Sequence, residues 1–391
     1  MGTEQRYRVA VVGRTGGGNY GHDLDWAFVG LSAAQVIAIA DPDPTGREAA
    51  GRRTGARALY ADYETMLDGE RPDIVVVAPR WVDDHEAVVV AAAHYGAHVY
   101  CEKPLARTPA EADRMLAACA QAGVRLAVAH TSRVHPRTRL AQQLLAAGLI
   151  GRLRLMRGYG KGDRRAGGTD LMVLGTHAFD LMRFFAGSTS QGQAGDCQWV
   201  SARLVQDGRD VTVDDAREGE EGIGLVAGDG LLAHLAFQDG MTGFYESFQG
   251  HVGPEPRGGL DLCGTEGILS FRSGRGGYVI WHCPDPEPPP GIDSLWRPIA
   301  VPGWGSFADG TAWPAGEHVR VLQRLMAREL LDALCDGREH VSSGADGRAA
   351  LEMIMAVHLS HLVGQRVTLP LAERDNPYRA LRMRTTPEGA P

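Results

Sequence analysis

The sequence predicts an α/β protein with two unlike sheets. We expect an N-terminal Rossmann domain with a doubly wound parallel sheet and a C-terminal α/β domain with a large, open, mostly antiparallel sheet. Three observations predict this: strands alternate with helical segments over residues 7–130, glycines cluster after the first strand, and strand-like segments dominate residues 199–283. Alternating strands and helices are typical of parallel sheets, and consecutive strands of antiparallel ones.

The first domain is predicted from five short strands rich in β-branched residues. They are YRVAVVG (7–13), VIAIAD (36–41), DIVVVAP (73–79), HVYCEKP (98–104) and RLAVAH (125–130). Several of the helical segments between them end at glycine, as helix C-caps commonly do. We place this domain at residues 1–133, because the alternation stops near Pro136.

The second domain is predicted at residues 134–371. We expect a helix at 136–147, a strand at 152–159, a helix at 170–185, the strands of 199–283, a Pro- and Gly-rich loop at 284–316, and helices near 318–336 and 345–364. Residues 372–391 are predicted to be a tail.

Composition excludes several classes of protein. The chain has 391 residues and a net charge of −8, which argues against nucleic acid or a membrane surface as the main partner. The N-terminus lacks a signal-peptide core and no apolar run approaches the ~20 residues of a membrane span, so we expect a cytoplasmic protein. The six cysteines form no C-x-x-C pair, and no His/Asp/Glu spacing predicts a metal site.

The segment VAVVGRTGGGNYGHD follows the first strand and is predicted to hold a dinucleotide pyrophosphate. Gly13 marks the sharp turn, and later glycines such as Gly16 and Gly21 keep side chains away from the backbone N–H groups. The spacing is longer than G-x-G-x-x-G, so a mobile surface loop is the alternative.

Asp41 closes the second strand, 20 residues after Gly21, where a carboxylate can accept hydrogen bonds from ribose hydroxyls. It would repel a 2′-phosphate, so NAD is favoured over NADP, although Arg47 keeps NADP open. The alternative for Asp41 is a turn residue in DPDP.

Glu102 and Lys103 end the fourth of these strands, at the edge of a parallel sheet where ligands gather. Pro104 restricts Lys103 to an extended conformation and so fixes the direction of its side chain. Lys103 could then stabilise an alkoxide or exchange a proton beside a cofactor. The alternative is an ordinary surface lysine.

These motifs carry a resemblance over nearly the whole chain. EKP after a strand, the Gly-rich first turn, IADPDP, ADYETML, RPDIVVVAP with a downstream HEA, GTHAFDL and SHLVGQRVTLPL resemble the glucose–fructose oxidoreductase, inositol dehydrogenase and rhizopine-catabolism (Gfo/Idh/MocA) family. The resemblance implies the two predicted domains, a tightly held nicotinamide cofactor, sugar or polyol substrates, and homodimers or homotetramers formed through the sheet face.

The cofactor is expected to contact residues at the ends of four strands. They are Gly13, Arg14, Thr15, Gly16, Asn19, Tyr20, Gly21, Asp41, Pro79, Arg80, His85, Glu102 and Lys103.

In the predicted helix at 170–185, Asp170, Val173, His177 and Asp180 recur at a spacing of three and four and share one face. Held by Asp180, His177 could accept a proton from a substrate hydroxyl; the alternative is a buried histidine with satisfied hydrogen bonds. The resemblance matches His177 to the family's active-site histidine. Val173 departs from it, because family members commonly carry a substrate-binding aspartate there.

A basic patch, RGYGKGDRRAGG (157–168), precedes that helix. Lys161, Arg164 and Arg165 could bind a carboxylate, sulfonate or phosphate, and Tyr159 could contact a sugar ring. We also expect Asp170 and Asp180 to contact substrate. The alternative is a solvated charged loop.

Three functions follow. The leading hypothesis is an NAD-dependent oxidoreductase in which Lys103 and His177 are catalytic and the substrate is a sugar-like, possibly anionic, secondary alcohol. The second is an NAD-dependent glycosidase that oxidises, eliminates, hydrates and reduces an acidic or sulfo-sugar glycoside. The third is a non-catalytic NAD-binding sensor, which the missing aspartate at position 173 alone favours.

Overall fold

The computed structural model describes residues 6–188, 195–250, 258–271, 279–289, 292–305, 312–314 and 316–385. The chain divides into two compact units. The first comprises Met1–Val134, Glu221–Ile223 and Trp313–Arg348, and the second comprises His135–Glu220, Gly224–Ala312 and Ala349–Pro391.

Eighteen strands lie in the described residues. They are β1 (Tyr7–Val12), β2 (Ala34–Ala40), β3 (Ala58–Tyr60), β4 (Ile74–Val77), β5 (His98–Cys101), β6 (Leu126–Val128), β7 (Leu155–Tyr159), β8 (Cys197–Gln206), β9 (Arg209–Asp210), β10 (Arg217–Glu218), β11 (Leu225–Val226), β12 (Gly230–Phe237), β13 (Thr242–Phe248), β14 (Gly259–Cys263), β15 (Ile268–Ser270), β16 (Val279–Cys283), β17 (Arg297–Ala300) and β18 (Val367–Thr368).

The α-helices of the described residues follow the same chain order. They are α1 (Pro44–Thr54), α2 (Tyr63–Glu70), α3 (His85–His94), α4 (Pro109–Ala122), α5 (Pro136–Ala146), α6 (Gly168–Asp170), α7 (Thr176–Ser188), α8 (Glu317–Asp336), α9 (Gly344–Val363) and α10 (Pro377–Thr385).

The first unit is built on a parallel sheet in the order β3-β2-β1-β4-β5-β6. This is the strand order of the Rossmann fold, so the predicted doubly wound sheet is confirmed. The central strand β4 is buried along its whole length, which explains its continuous run of apolar residues. The short strand β3 escaped prediction because its three residues are only partly buried or exposed and form no apolar run.

The second unit is built on a ten-stranded sheet in the order β17-β16-β15-β14-β7-β13-β12-β8-β18, with β9 paired to β8. Only β7 and β13 pair in parallel, so the predicted large, mostly antiparallel sheet is confirmed. Helix α7 packs on β7: a Cβ on Gly158 would lie 2.9 Å from the Met182 side chain. Gly158 therefore allows close contact between this helix and the sheet.

Contacts divide the chain differently from the predicted ranges 1–133 and 134–371. Met326 and Leu330 of α8 lie in the same core cluster as Val9 and Ile74, so this helix belongs to the first unit. The chain thus returns to the first unit at α8 after a long segment of the second unit. Sequence order alone does not predict this return.

The predicted tail, 372–391, includes an ordered helix within its described part. Tyr378 of α10 is fully buried, and its hydroxyl lies 3.1 Å from His358 Nδ1. This burial anchors α10 to α9. None of the described helices combines the length and apolar character needed to cross a membrane.

Candidate functional site

The cofactor candidates of the first unit meet at one edge of its sheet. The Gly-rich loop follows β1, Asp41 follows β2, Pro79 and Arg80 follow β4, and Glu102 and Lys103 follow β5. The strands are parallel, so all these segments lie at their carboxyl ends, where ligands of open α/β sheets bind.

The Gly-rich loop is braced by its own backbone. Arg14 and Asn19 exchange reciprocal N–H···O bonds of 3.1 and 2.8 Å, and Gly16 N donates to Asn19 Oδ1 at 3.0 Å. Gly18 has a φ of 92°, and a Cβ there would overlap the backbone nitrogens of Arg80 and Trp81. Hydrogen bonds within the loop and close backbone contacts at Gly18 therefore define its conformation.

Tyr20 packs directly over Gly13, where any side chain would overlap the Tyr20 ring. The Arg53 guanidinium lies 5.1 Å from the centre of the same ring. Burial, followed by the charge of Asp41, raises the pKa of the Tyr20 hydroxyl. Tyr20 is therefore a neutral side chain that fills the space beside the first glycine.

Asp41 is fully buried and bound by the loop. Thr15 Oγ1 donates to Asp41 Oδ2 at 2.7 Å, Thr15 N lies 3.2 and 3.1 Å from the two carboxylate oxygens, and Asp43 N donates to Oδ1 at 3.0 Å. Arg47 contacts the Asp41 carbonyl at 2.5 Å. Asp41 is therefore more than a turn residue, because it ties the end of β2 to the Gly-rich loop.

A pocket of about 210 Å³ lies beside Asp41. Its lining is Val12, Gly13, Arg14, Ala40, Asp41, Pro42, Ala61, Asp62, Tyr63, Pro79, Asp84, Ala87 and Val88. Three aspartates and Arg14 interrupt an otherwise mostly apolar lining, and an apolar wall beside a carboxylate fits an adenine ring and its ribose. The residues present therefore fit the adenosine part of a dinucleotide.

Glu102 and Lys103 are both buried, with Lys103 only 4% exposed. Its burial contradicts the alternative that Lys103 is an ordinary surface lysine. His22 Nδ1 lies 2.7 Å from Glu102 Oε1, and Glu102 Oε2 has no hydrogen-bond partner among the described residues. Burial opposes ionisation, but His22, Lys103 and His85 outweigh it and hold the pKa of Glu102 below its usual value. An ionised, buried oxygen without a donor fits a ligand hydroxyl.

Three further cofactor candidates form hydrogen bonds or ion pairs with other residues of the chain: His85, Arg80 and Arg14. His85 Nε2 contacts the Pro79 carbonyl at 2.8 Å and Nδ1 the Pro104 carbonyl at 3.0 Å, so His85 joins the segments after β4 and β5. Arg80 pairs with Glu221 at 3.3 Å. Arg14 pairs with the two aspartates directly before α3, Asp83 at 3.0 Å and Asp84 at 2.8 Å.

In the second unit, the predicted helix at 170–185 is not a regular α-helix. A π-helical turn, Leu171–Gly175, separates α6 from α7. The single face predicted for Asp170, Val173, His177 and Asp180 assumed 3.6 residues per turn, and the wider π turn breaks that periodicity. His177 is partly exposed, whereas Val173 and Asp180 are buried. Such turns are frequent at functional sites.

Asp170 is buried at the start of this helix and holds the chain around it. Its Oδ2 accepts hydrogen bonds from Lys161 N (3.1 Å), Tyr245 Oη (3.3 Å) and Ser247 Oγ (2.9 Å). Burial raises the pKa of this carboxyl, and these donors oppose the shift. Through Oδ2, Asp170 therefore supports the segment before α7, and its contact with substrate stays a prediction.

The basic patch is largely neutralised. Arg164 forms a bidentate pair with Glu220 at 2.8 and 3.0 Å, and Arg165 pairs with Asp163 at 2.8 Å. Lys161 is exposed. The alternative of a solvated charged loop agrees with these pairs.

Tyr159 lies on the opposite face of the sheet from α7. Gly158 faces α7, and neighbouring strand residues point to opposite faces, so Tyr159 points away from the helix and contacts Asp261 at 3.0 Å. The structure therefore separates Tyr159 from the helix, and its contact with a sugar ring stays a prediction.

Sequence reasoning missed several residues that organise these regions. His22 contacts Glu102, and its position directly after Gly21 was the available signal. Tyr245 and Ser247 hold Asp170 from β13, and no sequence signal links residues 75 and 77 positions apart. Among the described residues, no group of three or more His, Cys, Asp or Glu is placed to hold a metal ion.

Comparisons with known proteins agree with this fold. Residues 7–130 match a family model described as "Oxidoreductase family, NAD-binding Rossmann fold". Levoglucosan dehydrogenase of Pseudarthrobacter phenanthrenivorans is 30% identical over 290 residues, covering 67% of this chain and 73% of that protein. D-apiose dehydrogenase of Paraburkholderia graminis is 26% identical over 96% of this chain and 93% of its own length.

A solved structure of levoglucosan dehydrogenase in complex with NADH and levoglucosan is similar in fold. It superimposes with a TM-score of 0.73 at 22% identity, covering 94% of this chain and all of that one.

Proposed function

This chain belongs to the Gfo/Idh/MocA family of NAD-binding oxidoreductases, and from that premise we propose that it oxidises a secondary hydroxyl of a sugar-like substrate. The observation that carries the proposal is a buried Lys103 beside an ionised, buried Glu102 at the edge of the sheet where the Gly-rich loop and Asp41 also lie. A lysine is seldom buried without a chemical reason.

Lys103 is proposed to hold the reacting oxygen. The negative charge of Glu102 offsets the cost of burying the ammonium, which can then donate a hydrogen bond to the substrate oxygen as negative charge develops there. Glu102 Oε2 is proposed to accept a hydrogen bond from a ribose hydroxyl of the cofactor. His85 keeps the two strand ends together and acts as a positioning residue.

His177 is proposed to take the proton of the substrate hydroxyl, because it lies on the helix that carries the GTHAFDL motif and is partly exposed. NAD, when bound, supplies the hydride acceptor. Its adenosine is proposed to occupy the pocket beside Asp41, with the pyrophosphate on the Gly-rich loop. A carboxylate at that position favours NAD over NADP.

Substrate contacts are proposed for Lys161, Arg164 and Arg165 in the segment before the helix. The pairs with Glu220 and Asp163 would have to open for an anionic substrate, whereas a neutral sugar needs no such change. We therefore favour a neutral sugar or polyol.

The test is a panel of neutral and acidic sugars, including levoglucosan and D-apiose, assayed for NADH formation with NAD and NADP. We expect turnover of at least one neutral sugar with NAD and its loss in the Lys103→Met and His177→Ala variants. Binding of NAD without turnover of any sugar, polyol or glycoside would favour the sensor hypothesis.

A second candidate function, redox-neutral glycoside cleavage, is favoured by Val173. This side chain is apolar and 8% exposed, so it cannot bind a hydroxyl as an aspartate would. The sugar would be oxidised, lose its aglycone by elimination, gain water and recover its hydride. Glycoside cleavage with catalytic NAD, no accumulation of NADH and uptake of solvent deuterium beside the oxidised carbon would identify this reaction.

Homo-oligomers are proposed to form through the outward face of the large sheet. Leu232 and Phe248, on neighbouring strands, are 47% and 48% exposed, and His234 stacks on Phe244 at 4.7 Å on the same face. Exposed apolar patches mark interfaces. Sedimentation of the wild type and of Leu232→Glu, which we expect to dissociate, tests this proposal.

A further inference from the structure

Protein donors already occupy most of the acceptor positions of the Asp41 carboxylate. An ionised carboxylate offers about four acceptor positions. Oδ1 accepts from Thr15 N (3.2 Å) and Asp43 N (3.0 Å), and Oδ2 accepts from Thr15 N (3.1 Å) and Thr15 Oγ1 (2.7 Å). The Thr15 N–H is shared between the two oxygens, so Thr15 supplies two of the three donors. The side chain of Asp41 is fully buried.

Thr15 is held in this position from two sides. A Cβ on Gly46 would overlap Thr15 Oγ1, so the hydroxyl rests directly on the first turn of α1. On its other side, the reciprocal bonds between Arg14 and Asn19 close the loop around Thr15. The contact with Asp41 is therefore part of an ordered loop conformation.

We propose that Thr15 is an intramolecular competitor of the nucleotide for Asp41. With three donors in place, about one of the four acceptor positions remains. A ribose that donates both hydroxyls needs two, so the Thr15 hydroxyl must leave before the ribose binds. The inference rests on the proposed cofactor site. A protein that is competent to bind for only a fraction of the time has an apparent Kd raised by the inverse of that fraction. Thr15 thus sets the affinity for NAD.

Thr15→Val tests this role, because valine keeps the branched shape and lacks the hydroxyl. Loss of one charge-assisted hydrogen bond is expected to tighten NAD binding about tenfold, measured by titration calorimetry. Thr15→Ser, which keeps the hydroxyl, is expected to match the wild type. Thr212→Val is the matched control, since it removes a similar bond to Asp215 (2.9 Å) in the second unit and should leave Kd unchanged.

The choice of nucleotide separates a local effect from a general one. ADP-ribose carries the adenosine ribose and is expected to bind Thr15→Val tighter by the same factor as NAD. Nicotinamide mononucleotide lacks that ribose and should be unaffected. Equal or weaker binding of NAD by Thr15→Val, or equal tightening of all three nucleotides, would overturn the role of Thr15. If wild type and variants all fail to bind NAD and ADP-ribose, the cofactor site itself is wrong.

Discussion

The two units place their candidate functional groups in opposite ways. In the first unit, Asp41, Glu102 and Lys103 are buried at the ends of parallel strands and are fixed by neighbouring side chains and backbone. In the second, Arg164 is exposed and paired with an equally exposed acid, and His177 follows a π-helical turn. A buried, braced edge suits one invariant ligand, whereas exposed pairs that can exchange partners suit variable ones. We therefore expect the region proposed for sugar binding to be more adaptable than the region proposed for the nucleotide, in which only Thr15 has to move.

The two lysines give the largest test of this comparison. Only two of the forty basic residues are lysines. Lys103 is buried in the first unit, and Lys161 is exposed in the second. Lys103→Met is expected to lower kcat/KM by about 10³-fold, because a group acting on the reacting oxygen is lost. Lys161→Met is expected to raise KM less than about tenfold with little change in kcat, since an exposed contact to substrate is weak.

Amine labelling provides the control for that experiment. With only two lysines, mass spectrometry reports on each separately, and bound NAD should protect Lys103 while Lys161 stays reactive. Equal losses of kcat/KM in both variants, or equal protection, would contradict the distinction between the units.

The sequence predicted the first unit better than the second for a physical reason. Buried parallel strands are continuous apolar runs, and the residues that follow them must share one edge, so Asp41 and Lys103 were placed without knowledge of any contact. The candidate site of the second unit depends on packing between distant segments. Tyr245 and Ser247 position Asp170, and no local sequence pattern encodes those contacts.

The helix shows where periodicity stops being sufficient. A spacing of three and four residues predicts a shared face only if the helix stays regular, and the π turn at Leu171–Gly175 removes that condition. Gly175, a poor helix former inside the segment, was the one local sign. The return of α8 to the first unit could not be predicted either, because Met326 and Val9 join one core cluster only in the folded protein.

Two glycines test whether each unit depends separately on close backbone packing. Gly18 (φ 92°) and Gly167 (φ 82°) both lie where a Cβ would overlap backbone, of Arg80 and Gly228 respectively. Gly18→Ala is expected to weaken NAD binding by more than tenfold, because the loop must shift, and to leave the fold of the second unit intact. Gly167→Ala should leave the NAD Kd unchanged and raise the sugar KM. For each variant, calorimetry gives the NAD Kd and steady-state kinetics give the sugar KM.

Gly96→Ala is the matched control for these two variants. Its φ of 77° is similar, but no atom lies within 4 Å of the added Cβ. It should lower the free energy of unfolding by only about 1 kcal/mol, the cost of the backbone conformation, and change neither constant. If Gly18→Ala changes the sugar KM and leaves the NAD Kd unchanged, the proposal that the Gly18 loop binds the nucleotide is wrong.

A buried histidine of the second unit should make the stability of the protein sensitive to acid. Burial lowers the pKa of His358 to about 3, so this imidazole is neutral in the folded state near pH 7. Unfolding lets it take up a proton below its ordinary value of about 6.5, so its contribution to stability is complete above that pH. The free energy of unfolding should therefore fall by about 1.4 kcal/mol per pH unit from there towards the folded pKa. His358→Asn keeps a polar partner for Tyr378 and should remove this slope; equal slopes in urea titrations of both proteins would contradict the prediction.

Glu220→Gln gives the smallest change and tests adaptability directly. Glu220 neutralises Arg164 through a bidentate pair, so the glutamine variant leaves the guanidinium with a weaker partner. The KM for an acidic sugar is then expected to fall about threefold, because the cation no longer exchanges an ionised partner for the substrate, while the KM for a neutral sugar stays constant. Salt should abolish the difference, since both groups are exposed. If both values of KM fall equally, or neither falls, Arg164 does not face the substrate, and the exposed pair is only part of the protein's solvated surface.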